Sequence, residues 1–308
     1  MLGATGVIGR RALPALAAAG HTVSALARGP AHAVRVSSLG AEPIEVDPFD
    51  EASLVRALAR HEAVVNVMTR IPPLSRAALP TAWRENDRLR QEASGSVARA
   101  ARRAGVGRLV QESIGFLYAD GGESWLDEDA AIEPAAQTRS AVDAERNARA
   151  FGDAVVLRFG SFYGPDSDQS AAMVAIARRG LSPLPTHPAG YVSPLWLDDT
   201  GTAVTAALAA PAGTYNVADA EPLRAGEFDA ALAAAIGRPR LRAPARPLMR
   251  LAPTLRVVAR SQRLSTARLR EATGWAPSMP SSRDGLTELV LALEERRARS
   301  VAGAPARD

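Results

Sequence analysis

The chain has 308 residues, 47% hydrophobic and 23% charged, with a net charge of +4 at pH 7 and no cysteine. That length suits one large α/β unit or two domains, and the missing cysteines exclude disulfides, thiolate nucleophiles and cysteine-ligated metals. All 37 basic residues are Arg, scattered among 33 acids without a long basic run, which argues against a nucleic-acid surface; no apolar run reaches the roughly 18 residues of a membrane span, so the chain reads as cytoplasmic.

The opening Met1-Leu-Gly-Ala-Thr-Gly-Val-Ile-Gly9 places Gly3, Gly6 and Gly9 three residues apart, before a helical run from Arg10 to Ala19. A phosphate-binding loop needs bare backbone at a helix N-terminus, where N–H groups and the helix dipole favour negative charge. A plain glycine turn is the competing reading. Only Met1 and Leu2 precede the first glycine, whereas a strand needs about five residues, so the first strand is expected to begin upstream. Pro14 is expected to bend the helix. His21 to Arg28 reads as the second strand. The place about 20 residues beyond the glycines, where an acid binds the ribose 2′-OH of NAD, holds Ala27 and then Arg28; a guanidinium there suits a 2′-phosphate, or stacks on the adenine.

Ala41 to Asp47 reads as the third strand, and Asp50 as an N-cap for a helix through Ala59. Ala63 to Met68 is a continuous apolar run of the kind buried in a parallel sheet. Arg70 to Pro80 is a loop over the cleft, Trp83 to Ala104 a long helix, and Val106 to Ser113 leads into another strand. Ala154 to Arg158 is a further buried strand. The tail from Ser300 onward reads as frayed.

These segments together resemble the extended and atypical branches of the short-chain dehydrogenase/reductase superfamily, of the NAD-dependent epimerase/dehydratase type. The resemblance rests on the GATGVIG opening, Asn86 followed by the strand ending at Ser113, Phe159-Gly-Ser-Phe-Tyr-Gly-Pro165, Ser193 to Asp199, Gly213-Thr-Tyr-Asn-Val217 and Gly274-Trp-Ala-Pro277. It implies a Rossmann-type doubly wound parallel sheet over 1–160, and a smaller C-terminal substrate lobe over 161–308, interleaved with the last sheet strands at about 195–217. Expected cofactor contacts are Gly3, Thr5, Gly6, Val7, Ile8, Gly9, Arg28, Asp47, Pro48, Val67, Met68 and Phe159, with NADP favoured and NAD possible. Expected substrate contacts are Arg70, Tyr191 and Arg263, the last either a phosphate ligand or a solvated helix start. A small-molecule substrate and a homodimer, through the helices Trp83 to Ala104 and Arg139 to Ala150, also follow from the resemblance.

The family's hydride chemistry uses Tyr-x-x-x-Lys, in which the ammonium lowers the phenol pKa. Here Gln137 stands at the tyrosine position, Ala141 at the lysine position, and the chain contains no Lys. Ser113, one residue uncertain in register, together with Tyr118, Tyr163 and Glu112, are the replacement candidates near strand ends. Three readings stay open: an NAD(P)-dependent reductase or epimerase with another proton donor, a redox-neutral isomerase, lyase or cyclase, and a non-catalytic NADP(H) sensor.

Overall fold

The computed structural model describes residues 1–73, 76, 77, 79–243 and 253–302. Residues 74, 75 and 78 of the loop expected over the cleft, and 303–308 of the expected frayed tail, lie outside the described residues.

The first half alternates short helices with parallel strands: α1 (Gly9–Ala18), β1 (Ser24–Leu26), α2 (Pro30–Ser38), β2 (Glu42–Ile44), α3 (Glu51–Leu58) and β3 (Ala63–Asn66). Asp50 is the N-cap of α3, its Oδ1 accepting the Ala52 N–H at 3.0 Å. Pro14 lies within α1 without ending it. Then come α4 (Arg84–Arg88), a π-helical segment (Leu89–Ala93), α5 (Ser94–Arg103), β4 (Arg108–Ile114), β5 (Trp125–Leu126), α6 (Arg139–Arg149) and β6 (Ala154–Phe159). The helix expected as one piece from Trp83 is therefore interrupted by a π segment, a form that concentrates at functional or strained places.

Strands β3, β4, β6 and β10 (Gly213–Val217) pair in parallel, as do β1 and β2. Two residues join these sheets. Leu2 donates to the Val65 carbonyl at 2.8 Å and accepts from Val67 at 3.0 Å, while Leu26 donates to the Met1 carbonyl at 2.9 Å. The order is thus β2, β1, Met1-Leu2, β3, β4, β6, β10, with the chain leaving Leu2 toward one side and returning on the other. In such sheets, ligands bind beyond the carboxyl ends of the strands at the point of reversal. The Met1 ammonium is buried against the Ser24 carbonyl, 2.6 Å away, and burial lowers its pKa to about 5.

One face of the sheet packs Val65, Val110, Val155 and Leu157 on Ile8, Ala12, Ala203 and Val204. The other packs Val64, Leu109 and Val156 on Leu54, Val97 and Ala148. A separate apolar core forms from Tyr163, Val174, Trp196, Phe228, Leu232, Leu286 and Leu289, and draws on the helices Asp168–Arg178, Ala225–Ala235 and Ser282–Ala302. The strand β9 (Pro194–Trp196), expected among the sheet strands, pairs instead with β7 (Ser161–Tyr163), while β8 (Tyr191–Val192) pairs with β11 (Leu223–Arg224).

Candidate active site

The glycine loop lies at the reversal point of the sheet. Gly3 has φ +85°, and a Cβ there would stand 2.6 Å from the Val67 carbonyl carbon; both conditions demand glycine. A Cβ on Gly9 would stand 2.3 Å from the Gly3 carbonyl oxygen, so its bareness lets α1 close on the loop. Gly6 differs: its nearest neighbour is at 3.2 Å and its surface is exposed. A Cβ there would intrude chiefly on the space in front of α1. No side chain caps α1 and its first turn carries no acid, which leaves its N-terminal N–H groups and dipole for an anion. Thr5 is half-buried and Val7 exposed beside Gly6, while Ile8 turns into the core. The residues present fit a dinucleotide pyrophosphate.

Arg28 and Asp47 follow the neighbouring ends of β1 and β2, which pair Leu26 with Ile44. The exposed Arg28 guanidinium makes no hydrogen bond or ion pair with a described residue, although its carbonyl bonds the His32 ring at 2.8 Å. Asp47 uses Oδ1 to accept the Phe49 N–H at 2.9 Å and fix the turn, and Pro48 is buried beneath it.

Val67 and Met68 are buried at the end of β3. The Arg70 N–H donates at 3.1 Å to the Oδ1 of fully buried Asn86, and its guanidinium reaches solvent beside Glu85 at 3.8 Å. The Phe159 ring lies inside the core, edge-on to Phe162 at 5.6 Å; any part it takes in the crevice is through its backbone.

The four candidate proton donors, expected near strand ends, lie there within hydrogen-bonded networks. The Ser113 hydroxyl is fully buried and donates to Glu145 Oε1 at 2.7 Å. Shifting the register by one residue puts Ile114 there, which has no hydroxyl. Glu145 also takes two bonds from Arg158, at 2.8 and 2.9 Å. Burial works against ionisation, but Arg158, Ser113 and Arg149 together hold the Glu145 carboxyl below the usual range. Tyr118, also fully buried, donates to Asn216 Oδ1 at 2.8 Å and covers Arg158 with its ring at 4.9 Å; burial raises its pKa. Tyr163 donates to Asp219 Oδ2 at 3.0 Å, and burial with that neighbouring carboxylate pushes the phenol far up. Glu112 accepts from Arg90 at 2.6 Å, both buried, with its Oε2 lacking a hydrogen-bond partner. Sequence reasoning missed Arg90, which the π segment turns inward, and Asp219, whose pKa burial raises to about 8. Neither carries a sequence signal, because each depends on what packs around it.

Gln137 lies in the turn before α6, and Ala141 is fully buried within that helix. Tyr191 and Arg263 come together, the guanidinium 4.5 Å from the ring centroid, whereas Arg70 has its own partners at the end of β3.

A family model described as NAD(P)H-binding matches residues 3–177. A 3-diazoavenalumate denitrifying reductase from a Streptomyces species is 38% identical over 306 residues, covering 92% of this chain and 97% of the relative. Among solved structures, a dTDP-glucose 4,6-dehydratase from Streptomyces venezuelae with NAD bound superposes with a TM-score of 0.75 at 20% identity, covering 97% of both chains. A UDP-glucose 4-epimerase from Thermotoga maritima gives 0.74 at 18% identity, covering 96% of this chain and 98% of that one. No helix among the described residues is long and apolar enough to cross a membrane. With a parallel sheet and a glycine loop at its reversal point, the chain belongs to the NAD(P)H-binding family whose model it matches, and its fold is that of the dehydratase and epimerase structures above.

Proposed function

We propose that this chain is an NADPH-dependent reductase that removes dinitrogen from a diazo-bearing carboxylic acid without a protein proton donor. The observation that carries the reading is the commitment of every hydroxyl candidate: Ser113 to Glu145, Tyr118 to Asn216 and Tyr163 to Asp219, in a chain with no lysine. A carbonyl acceptor becomes an alkoxide and needs a proton. A cationic diazonium carbon does not. When bound, the dinucleotide supplies a hydride, whose two electrons form the new C–H bond while the C–N bond breaks and neutral dinitrogen leaves. The name of the 38% identical relative, a denitrifying reductase of a diazo acid, supports the same class.

In this reading Gly3, Gly6 and Gly9, with Thr5, Val7 and Ile8 between them, bring bare backbone and the α1 N-terminus to the pyrophosphate. Arg28 holds the 2′-phosphate, which favours NADP over NAD. Asp47 and Pro48 border the adenine, and Val67, Met68 and the Phe159 backbone form the floor of the crevice. The apolar floor excludes water. The buried Glu145–Arg158 pair, with Ser113 and Tyr118, positions the ends of β4 and β6 and moves no proton.

The test uses a diazonium-substituted aromatic acid, NADPH deuterated at the transferable position, and ordinary water. Equimolar dinitrogen release and NADPH oxidation, with deuterium in the product, are expected. Hydrogen from solvent at the new C–H bond, or conversion with no net NADPH use, overturns the reading.

A further inference from the structure

Two buried ion pairs near the strand ends differ in how completely they are bonded. The Glu145 carboxylate is filled: Arg158 takes both of its oxygens, at 2.8 and 2.9 Å, and Ser113 adds a bond at 2.7 Å. Arg90 and Glu112 meet through a single bond, Nη2 to Oε1 at 2.6 Å, with side chains 1% and 4% exposed. The second carboxylate oxygen of Glu112 and the Nε of Arg90 are both shielded and without a hydrogen-bond partner. A buried pair joined so sparingly stabilises a fold no better than apolar residues of the same size, so packing alone does not account for it.

The position of Glu112 does. Asn66 of β3 pairs with Gln111 of β4, so Glu112, the next residue, runs beside Val67 at the usual strand spacing of about 5 Å. Val67 is the residue on which the glycine loop closes, its carbonyl carbon 2.6 Å from where a Gly3 Cβ would stand. On its other side Glu112 pairs with Leu157, which shares an apolar core with Val67 and Ile8. The carboxylate therefore sits in a poorly screened floor, where a charge acts over several ångström without direct contact. A dinucleotide straddles the reversal point of such a sheet. With its adenosine over β1 and β2, where Arg28 and Asp47 stand, its nicotinamide half falls on the side of β3 and β4.

We infer that the Glu112 carboxylate, tethered by Arg90 through one oxygen, stabilises the positively charged nicotinamide ring of the oxidised dinucleotide over the neutral ring of the reduced one, and so favours hydride release. The inference rests on the dinucleotide site proposed above and not on the diazo substrate.

The test is calorimetric titration of the full chain with NADP⁺ and with NADPH, read as the ratio of their Kd values, without any substrate. Glu112→Gln should raise the NADP⁺ to NADPH ratio about tenfold, the order expected for one unit charge acting on another through poorly screened protein. Arg90→Gln, which leaves the carboxylate unopposed, should move the ratio the other way. The double variant Arg90→Met with Glu112→Leu leaves no buried charge to disrupt folding, and its ratio should lie between those of the wild type and Glu112→Gln. A merely structural role would weaken both cofactors alike and leave the ratio in place. A ratio unchanged within twofold in folded Glu112→Gln or in the double variant, or a shift of the same sign in Arg90→Gln and Glu112→Gln, overturns the inference while the cofactor site stands. Failure of the wild type to bind either dinucleotide overturns the cofactor site itself, and this inference with it.

Discussion

Asp219 offers the sharpest physical test of the lobe core. Its carboxyl is fully buried, accepts the Tyr163 hydroxyl at 3.0 Å and the Trp196 N–H at 3.2 Å, and has no cation bonded to it. Burial, aided by the Asp199 charge, raises its pKa from 3.8 to about 8. Between these values the unfolded chain has released a proton that the folded chain keeps, so stability falls as pH rises, by about 1.4 kcal/mol per pH unit. Asp219→Asn removes this linkage while keeping a carbonyl for Trp196 and an amide that the Tyr163 oxygen can accept. The stability difference, variant minus wild type, should therefore rise by about 4 kcal/mol between pH 5 and pH 8, three units at that slope. Urea unfolding of both chains at pH 5, 6, 7 and 8 reads this difference. A difference that stays constant across the window would refute the assignment of a neutral, buried Asp219.

Gly6→Ala should leave the melting temperature within a few degrees yet weaken NADPH at least tenfold by calorimetry, whereas Gly3→Ala, strained at φ +85° and only 2.6 Å from Val67, should destabilise the chain by more than 1 kcal/mol in denaturant titration. Arg28→Ala is expected to weaken NADPH about tenfold or more and leave NADH within twofold, measured by fluorescence titration; equal losses would remove the 2′-phosphate contact. Glu145→Gln strips the partner from buried Arg158 and should cost about 3–5 kcal/mol, while Ser113→Ala should cost only about 1 kcal/mol and leave kcat within twofold; a hundredfold loss of kcat would return Ser113 to the chemistry.

The fold was legible because it is written in local signals. Three glycines at fixed spacing, an Asp at a helix start, and runs such as Ala63 to Met68 each answer a backbone requirement that acts within a few residues, so their chemistry survives in linear order. The placement of Arg28 and Asp47 at strand ends was legible for the same reason. What Ser113, Tyr118, Tyr163 and Glu112 do was not. Their partners, Glu145, Asn216, Asp219 and Arg90, lie between 22 and 98 residues away in the chain, and a hydroxyl near a strand end reads the same whether it faces a crevice or a buried carboxylate. The π segment that turns Arg90 inward, the pairing of β9 with β7, and the meeting of Arg263 with the Tyr191 ring are likewise products of packing. Hydrophobic period and turn chemistry set the elements; burial, which acts between distant parts of the chain, decided which polar groups are spent on structure and which are left for a ligand.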